Sequence, residues 1–178
     1  MRLCRIALTL ALATTMAPAA QGRESLAIAE LAFRDTSGEL RDQTAEHASR
    51  IHVFGAALRT SLARDHGVPV VDLGCTGACS PADPGTEALA EMARTAGADL
   101  LLVGEIHKIS TLISNIRLIM LDLDSGAVRC ERLLSYRGDT DEAWQRAARF
   151  ADRDLTTYCL PDQVREAPSR HSPPQSAH

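Results

Sequence analysis

The sequence predicts a single α/β domain on one mixed β-sheet, in the order β-α-β-α-β-β-β-α with a C-terminal antiparallel hairpin. Three observations carry this prediction. Apolar runs of strand length alternate with segments of helical apolar spacing up to about residue 109. Two further strand-like runs flank the turn Asp124-Ser125-Gly126. The chain of 178 residues, 45% hydrophobic, suits one domain with a sizeable core. The alternating part implies parallel strands joined by right-handed crossovers, layered as a two- or three-layer sandwich.

Each element follows from local pattern. Ser25 to Phe33 is almost continuously apolar and predicts a first strand buried on both faces. Asp35 to Asp42 is polar, contains Gly38 and reads as a loop. Over Thr44 to Arg64 a stripe of Ala48, Ile51, Leu58 and Leu62, bordered by Phe54, predicts a helix, with Gly67 suited to its C-terminal cap. Val68 to Leu73 is a short strand whose Pro69 favours an edge. Gly74 to Gly85 is punctuated by Gly and Pro and predicts a loop before a helix from Thr86 to Ala96, which Gly97 stops. That helix is expected to bury Leu89, Met92, Ala93 and Ala96. Asp99 to Ile109 is the strongest strand, with Leu100 to Val103 at the sheet's centre. Leu112 to Leu123 and Ala127 to Tyr136 form the hairpin. Asp139 as N-cap with Glu142 three residues on reads as a capping box, and its helix is expected to bury Trp144, Ala147 or Ala148, Ala151 and Leu155.

The ends of the chain bear on compartment. Arg2 and Arg5 precede an apolar run from Ile6 to Met16 and then Ala17-Pro18-Ala19, the order of a secretory signal peptide. Residues 1–19 are therefore expected to be cleaved near Ala19, residues 20–160 to form the domain, and residues 161–178, rich in Pro, Ser and His, to be a disordered tail. The run is too short to span a bilayer, and Cys4 lies ahead of it rather than after it, so no lipid or membrane anchor is expected. Localisation is expected to be periplasmic.

Four cysteines remain after cleavage, and an even count in an exported chain favours disulfides. Three connectivities are open. The preferred one pairs Cys75 with Cys79 and Cys130 with Cys159, which would tie the last helix to a strand. Cys75 and Cys79 also lie between a strand and a helix, where thiol-redox and copper-delivery proteins of thioredoxin-like fold carry such a pair. The alternative reading makes them a redox or Cu(I) site with His107 as a distal ligand. No Pro falls between Pro84 and Pro161, and no helix separates the third and fourth strands, so the thioredoxin-like order is not met.

Charge and composition exclude several functions. The formal charge is −4, and −6 once Arg2 and Arg5 leave with the leader, which gives no general attraction for nucleic acid or anionic lipid. Six aromatic residues are too few for a base-stacking platform. No catalytic constellation is found, and no carboxylate pair, Ser-His-Asp set or Gly-rich phosphate loop accompanies Lys108, so the expectation is a non-enzyme with no catalytic residue, no cofactor and no resident metal. Asp139, Asp141 and Glu142 are better read as capping and dipole charges than as a calcium set, and His171 and His178 match no defined metal spacing. Lys108 is the only lysine and lies at the end of the central strand, where open α/β sheets bind ligands. Lys108, Ser110, Asn115 and Arg137 form a candidate polar cluster for an anionic group or a partner's backbone. The competing reading is a salt-bridge and turn network holding the crossover into the hairpin.

Two blocks carry a family resemblance. Gly97-Ala98-Asp99-Leu100-Leu101-Leu102-Val103-Gly104 with His107-Lys108-Ile109-Ser110-Thr111-Leu112-Ile113 is one, and Arg137-Gly138-Asp139-Thr140-Asp141-Glu142-Ala143-Trp144 is the other. Both resemble passages of the uncharacterised exported bacterial family DUF2380/DUF3280, and the resemblance covers about Ser25 to Leu155. Thr111 and Asp139 stand where that family's pattern has Asn, which removes two amides from any shared chemistry. More distantly, the strand-helix order resembles the periplasmic domains of curli-secretion and penicillin-binding-protein-activator type proteins. The resemblance implies an exported, non-enzymatic accessory or binding domain with a periplasmic protein partner. It also implies a role in support of an exported quinoprotein alcohol dehydrogenase system.

Overall fold

A computed structural model describes residues 23–77 and 79–161. The expected signal segment and tail lie outside these residues, apart from Pro161. The elements are β1 (Leu26–Ile28), β2 (Ala32–Asp35), α1 (Thr44–Arg64), β3 (Val70–Val71), α2 (Thr86–Thr95), β4 (Leu100–Lys108), β5 (Ile113–Asp122), β6 (Val128–Arg137) and α3 (Asp141–Tyr158). They form one mixed sheet in the order β3-β1-β4-β5-β6, with β2 also paired to β4. β1 runs parallel to β3 and β4, while β4-β5 and β5-β6 are antiparallel. The α/β class, the single mixed sheet and the hairpin are those the sequence predicts.

The layers are three. α1 and α3 cover one face over a core that includes Leu26, Phe54, Leu58, Leu102, Ile116 and Trp144. α2 covers part of the other face through Leu89, Ala90 and Ala93, packed with Leu101 and Val103. β4 is buried almost throughout because it has a strand on each side and helices on both faces. The exposed side chains differ from the expected stripes at two places. Ala48 is exposed while His47 is buried, and Ala96 is exposed at the end of α2.

The first strand is interrupted. Ile28 pairs with Leu102, but Ala32 pairs with Glu105, so three residues on this strand pass two on β4. The inserted residue is accommodated where the Glu30 N–H donates to the Cys79 carbonyl at 2.7 Å instead of to the sheet. An extra residue reverses side-chain parity. Leu31 and Phe33 therefore enter the same core as Leu26 and Ile28, and Asp35 lies beside Lys108 on that side of the sheet.

Two glycines of the first family block have separate tasks. Gly97 follows α2 at φ +80°, and Ala98 N–H donates back to the Ala93 carbonyl, a left-handed helix stop that suits a residue without Cβ. Gly104 has ordinary backbone angles, but a Cβ there would lie 2.4 Å from the Arg117 carbonyl oxygen and 2.9 Å from Leu31 Cδ2. The bulge that swings Leu31 over β4 requires glycine beneath it.

α3 begins one residue later than a cap at Asp139 would place it. Thr140 is the N-cap and its hydroxyl accepts from the Ala143 N–H at 3.3 Å. Asp139 is committed elsewhere.

Candidate functional site

The site is assembled where β2, β4 and β6 end beneath the first turns of α1 and α3. Lys108 closes β4, and its side chain is 1% exposed. Its Nζ lies 2.7 Å from Asp139 Oδ2, donates to Gln43 Oε1 at 2.7 Å and to Glu39 Oε2, and sits 3.7 Å from Asp35 Oδ2. An ammonium has three N–H donors, and Asp139, Glu39 and Gln43 occupy all three.

Asp139 is equally saturated. Its Oδ2 meets Lys108 and His47 Nε2 at 2.7 and 2.9 Å. Its Oδ1 accepts from Trp144 Nε1 at 2.9 Å and Arg50 Nη1 at 3.0 Å. Arg50 reaches on through Nε to Asp141 at 2.8 Å. The single carboxylate thus joins β4, α1 and the start of α3. An aromatic layer seals it, with Phe33 and His47 centroids 4.5 Å apart and Tyr136 edge-on to Trp144 at 5.9 Å.

The electrostatics follow from this geometry. Burial alone would push the Asp139 carboxyl up, but hydrogen bonds from Lys108, His47 and Trp144 outweigh it and hold the group well below the usual carboxylate range. Burial would lower the Lys108 ammonium, yet Asp139 and Glu39 keep it above its ordinary value. Arg50 behaves alike, with desolvation overcome by Asp141 and Asp139. Burial, offset only in part by neighbouring Ser114, pushes the Tyr136 phenol upward, and its hydroxyl has no hydrogen bond of ordinary geometry among the described residues.

This chemistry opposes catalysis by the lysine. A nucleophilic or basic lysine needs a lowered pKa and a free lone pair. Lys108 has neither. It is a locked cation whose neighbours come from two chain segments, the stretch from Asp35 to Gln43 and Asp139 before α3. Two concavities border the cluster. One of about 560 Å³ is lined by Phe33, Asp35, Glu39, Gln43 and His47. The other, about 610 Å³, runs between α1 and α3 along Arg50, Val53, Phe54, Trp144, Ala148 and Arg149.

The expected cluster of Lys108, Ser110, Asn115 and Arg137 is not assembled. Lys108 pairs with Ser114 across β4-β5, so Asn115, one residue on, faces the opposite side of the sheet. There its Oδ1 accepts from Ser135 Oγ at 2.7 Å. Arg137 pairs with Ile113 on that same outer face, is exposed, and makes no ion pair with any described residue. Ser110 Oγ accepts from the Ile113 N–H at 3.2 Å within the β4–β5 turn. The residues that do surround Lys108 were not expected. Glu39 and Gln43 carry only the sequence signal of a polar loop and helix approach, and Asp139 that of a cap.

The structure bonds Cys75 to Cys79 and Cys130 to Cys159. The first pair closes the loop before α2 and packs on the α2-side core. The second ties β6 to the residue that ends α3. His107 Nε2 is engaged by the Thr36 hydroxyl at 2.7 Å. Among the described residues no group of three or more His, Cys, Asp or Glu side chains is arranged to hold a metal ion, and no helix is long and apolar enough to cross a membrane.

With this geometry in view, comparison with known proteins places the chain. The DUF3280 family model, described as "Protein of unknown function (DUF2380)", matches residues 24–155, and the chain belongs to that family. No curated protein matches it. Among solved structures, a hypothetical protein of Chlamydia trachomatis, CT253, is similar with TM-score 0.50 and 12% identity, over 79% of this chain and 100% of that one. A PelC dodecamer from Paraburkholderia phytofirmans has TM-score 0.48 and 15% identity over 80% and 92% of the two chains. The LpoB C-terminal domain from Salmonella enterica has TM-score 0.44 and 18% identity over 66% and 86%.

Proposed function

From membership of that family and from the saturated charge cluster, we propose that this chain is an exported, non-enzymatic accessory domain that binds a protein partner in a periplasmic assembly. One observation carries the reading. The buried cation at the carboxyl end of the central strand, where an α/β enzyme or binding protein would present chemistry, spends every donor on its own chain. The cluster serves to hold the β4 end, α1 and α3 in fixed relation, so that the surface they carry can be recognised as a shape. Ser110 and Asn115, at the β4–β5 turn, belong to the surface proposed to meet the partner.

The proposal includes removal of residues 1–19 on export, a domain of residues 20–160, and residues 161–178 as a tail outside it. Its finer form is support of an exported quinoprotein alcohol dehydrogenase system, which rests on the family resemblance alone. The competing reading makes Cys75 and Cys79 a working thiol pair, favoured by their place between β3 and α2.

A deletion strain complemented by the Cys75→Ala/Cys79→Ala variant separates the two. Full complementation is expected, and loss of all cellular function by a folded double variant would overturn the accessory reading in this form. Quinoprotein dehydrogenase activity in periplasmic extracts of the deletion strain tests the finer claim, which fails if that activity is unchanged.

A further inference from the structure

The sheet ends on one side at β3, two residues long, and on the other at β6, ten residues long. Long open edges are normally blunted by Pro, a bulge or charge. β6 contains no Pro, its irregularity at Met120/Leu121 leaves Cys130 to Arg137 in regular register, and the charges on its outer face are of opposite sign, Glu131 and Arg137, which a complementary strand can pair.

The phase of the ladder identifies the groups left open. Gly138 N–H donates to the Leu112 carbonyl at 2.9 Å, and Ile109 N–H donates to Ile113 across the preceding pair. Antiparallel residues alternate between bonding one neighbour and the other. The even-numbered residues of β6 therefore bond β5, and the backbone groups of Glu131, Leu133, Ser135 and Arg137 point away from the sheet. No backbone group of another described segment bonds them. Their side chains share the outer face, where Leu133 is 69% exposed.

We infer that this edge pairs antiparallel with β6 of a second copy, about a two-fold axis at Leu134. Three neighbouring registers satisfy the ladder phase. An axis at Leu133 sets Arg137 against Arg129. An axis at Ser135 sets Arg137 against Leu133. The axis at Leu134 alone sets Glu131 against Arg137 on both sides of the dyad, with Leu133 against Ser135. Arg137, which makes no ion pair with any described residue, gains one. Such a two-fold contact is self-complementary and closes, and it adds about eight backbone hydrogen bonds.

Sedimentation velocity of the full chain tests this. The wild type is expected to sediment as a dimer. Ser135→Pro removes an N–H that only the second copy would use, so it should yield a monomer with an unchanged circular dichroism spectrum. Arg137→Glu and Glu131→Arg should each weaken the dimer about tenfold or more, because both cross-dyad pairs become like-charged. An equimolar mixture of those two variants restores both pairs and should recover the dimer as a mixed species, a result that stands even if Ser135→Pro fails to fold. A wild type monomeric at every loading concentration would overturn the inference. So would a dimer that these substitutions leave intact, or a mixture that does not reassemble.

Discussion

Removing the Asp139 carboxylate tests the cluster most severely. Asp139→Ala deletes four contacts at once, to Lys108, His47, Trp144 and Arg50. Lys108 then stays buried with Glu39, Gln43 and the more distant Asp35 as its remaining partners. Breaking a buried pair outright costs about 3–5 kcal/mol, and the surviving partners of Lys108 place the expected loss near the lower end, about 3 kcal/mol. For a chain of this size that corresponds to a fall in Tm of about 6–12 °C. Trp144 is the only tryptophan and touches the cluster, so its fluorescence in a urea titration reports the transition directly. Asp139→Asn keeps the shape but turns an NH2 group toward either Lys108 and His47 or Trp144 and Arg50, so it should cost nearly as much. Lys108→Met combined with Asp139→Ala should cost clearly less than the sum of the two single changes, because neither charge is left stranded. A loss below about 0.5 kcal/mol for Asp139→Ala, or strict additivity in the double variant, would refute the reasoning.

Three further outcomes are expected. Gly104→Ala should destabilise the fold by about 1–3 kcal/mol in the same titration, since its Cβ meets the Arg117 carbonyl with no room to yield. Replacing Cys130 and Cys159 by Ser opens a loop with a sequence separation of 29 and should cost roughly 3–4 kcal/mol, against about 2 for the short Cys75–Cys79 loop, measured as the two shifts in Tm. The Asp139 carboxyl is held low in the folded state, so its contribution is complete above its unfolded pKa of about 4 and is lost as pH falls through the folded value. The wild type should therefore lose stability more steeply than Asp139→Asn from about pH 5 to pH 2, and parallel acid-unfolding curves would contradict this.

The fold was legible because its signals are local. The apolar spacing and polar flanks of α1 mark Thr44 to Arg64 at both ends, and the continuous apolar run of β4 marks a central strand. The interruption at Ala29 to Leu31 was not legible, because an inserted residue in an apolar run leaves the pattern unchanged until the pairing with β4 is known. Lys108 stood out as a lone lysine, but its partners lie 31 to 73 residues away, at Asp139, Glu39, Gln43 and Asp35. Asp139 also satisfied a cap pattern that Thr140 fulfils instead. Asn115 and Arg137 read in sequence as partners of Lys108, whereas strand register sets them on the other face.

The central claim is an exported accessory domain whose cysteines are structural. Intact-mass measurement of the protein purified from its own periplasm, before and after reduction, tests it most directly. The account predicts a chain lacking residues 1–19, about 4 Da below its fully reduced mass because two disulfides have formed, with no adduct. A copper adduct, free thiols at Cys75 and Cys79, or a chain that retains its first 19 residues would contradict it.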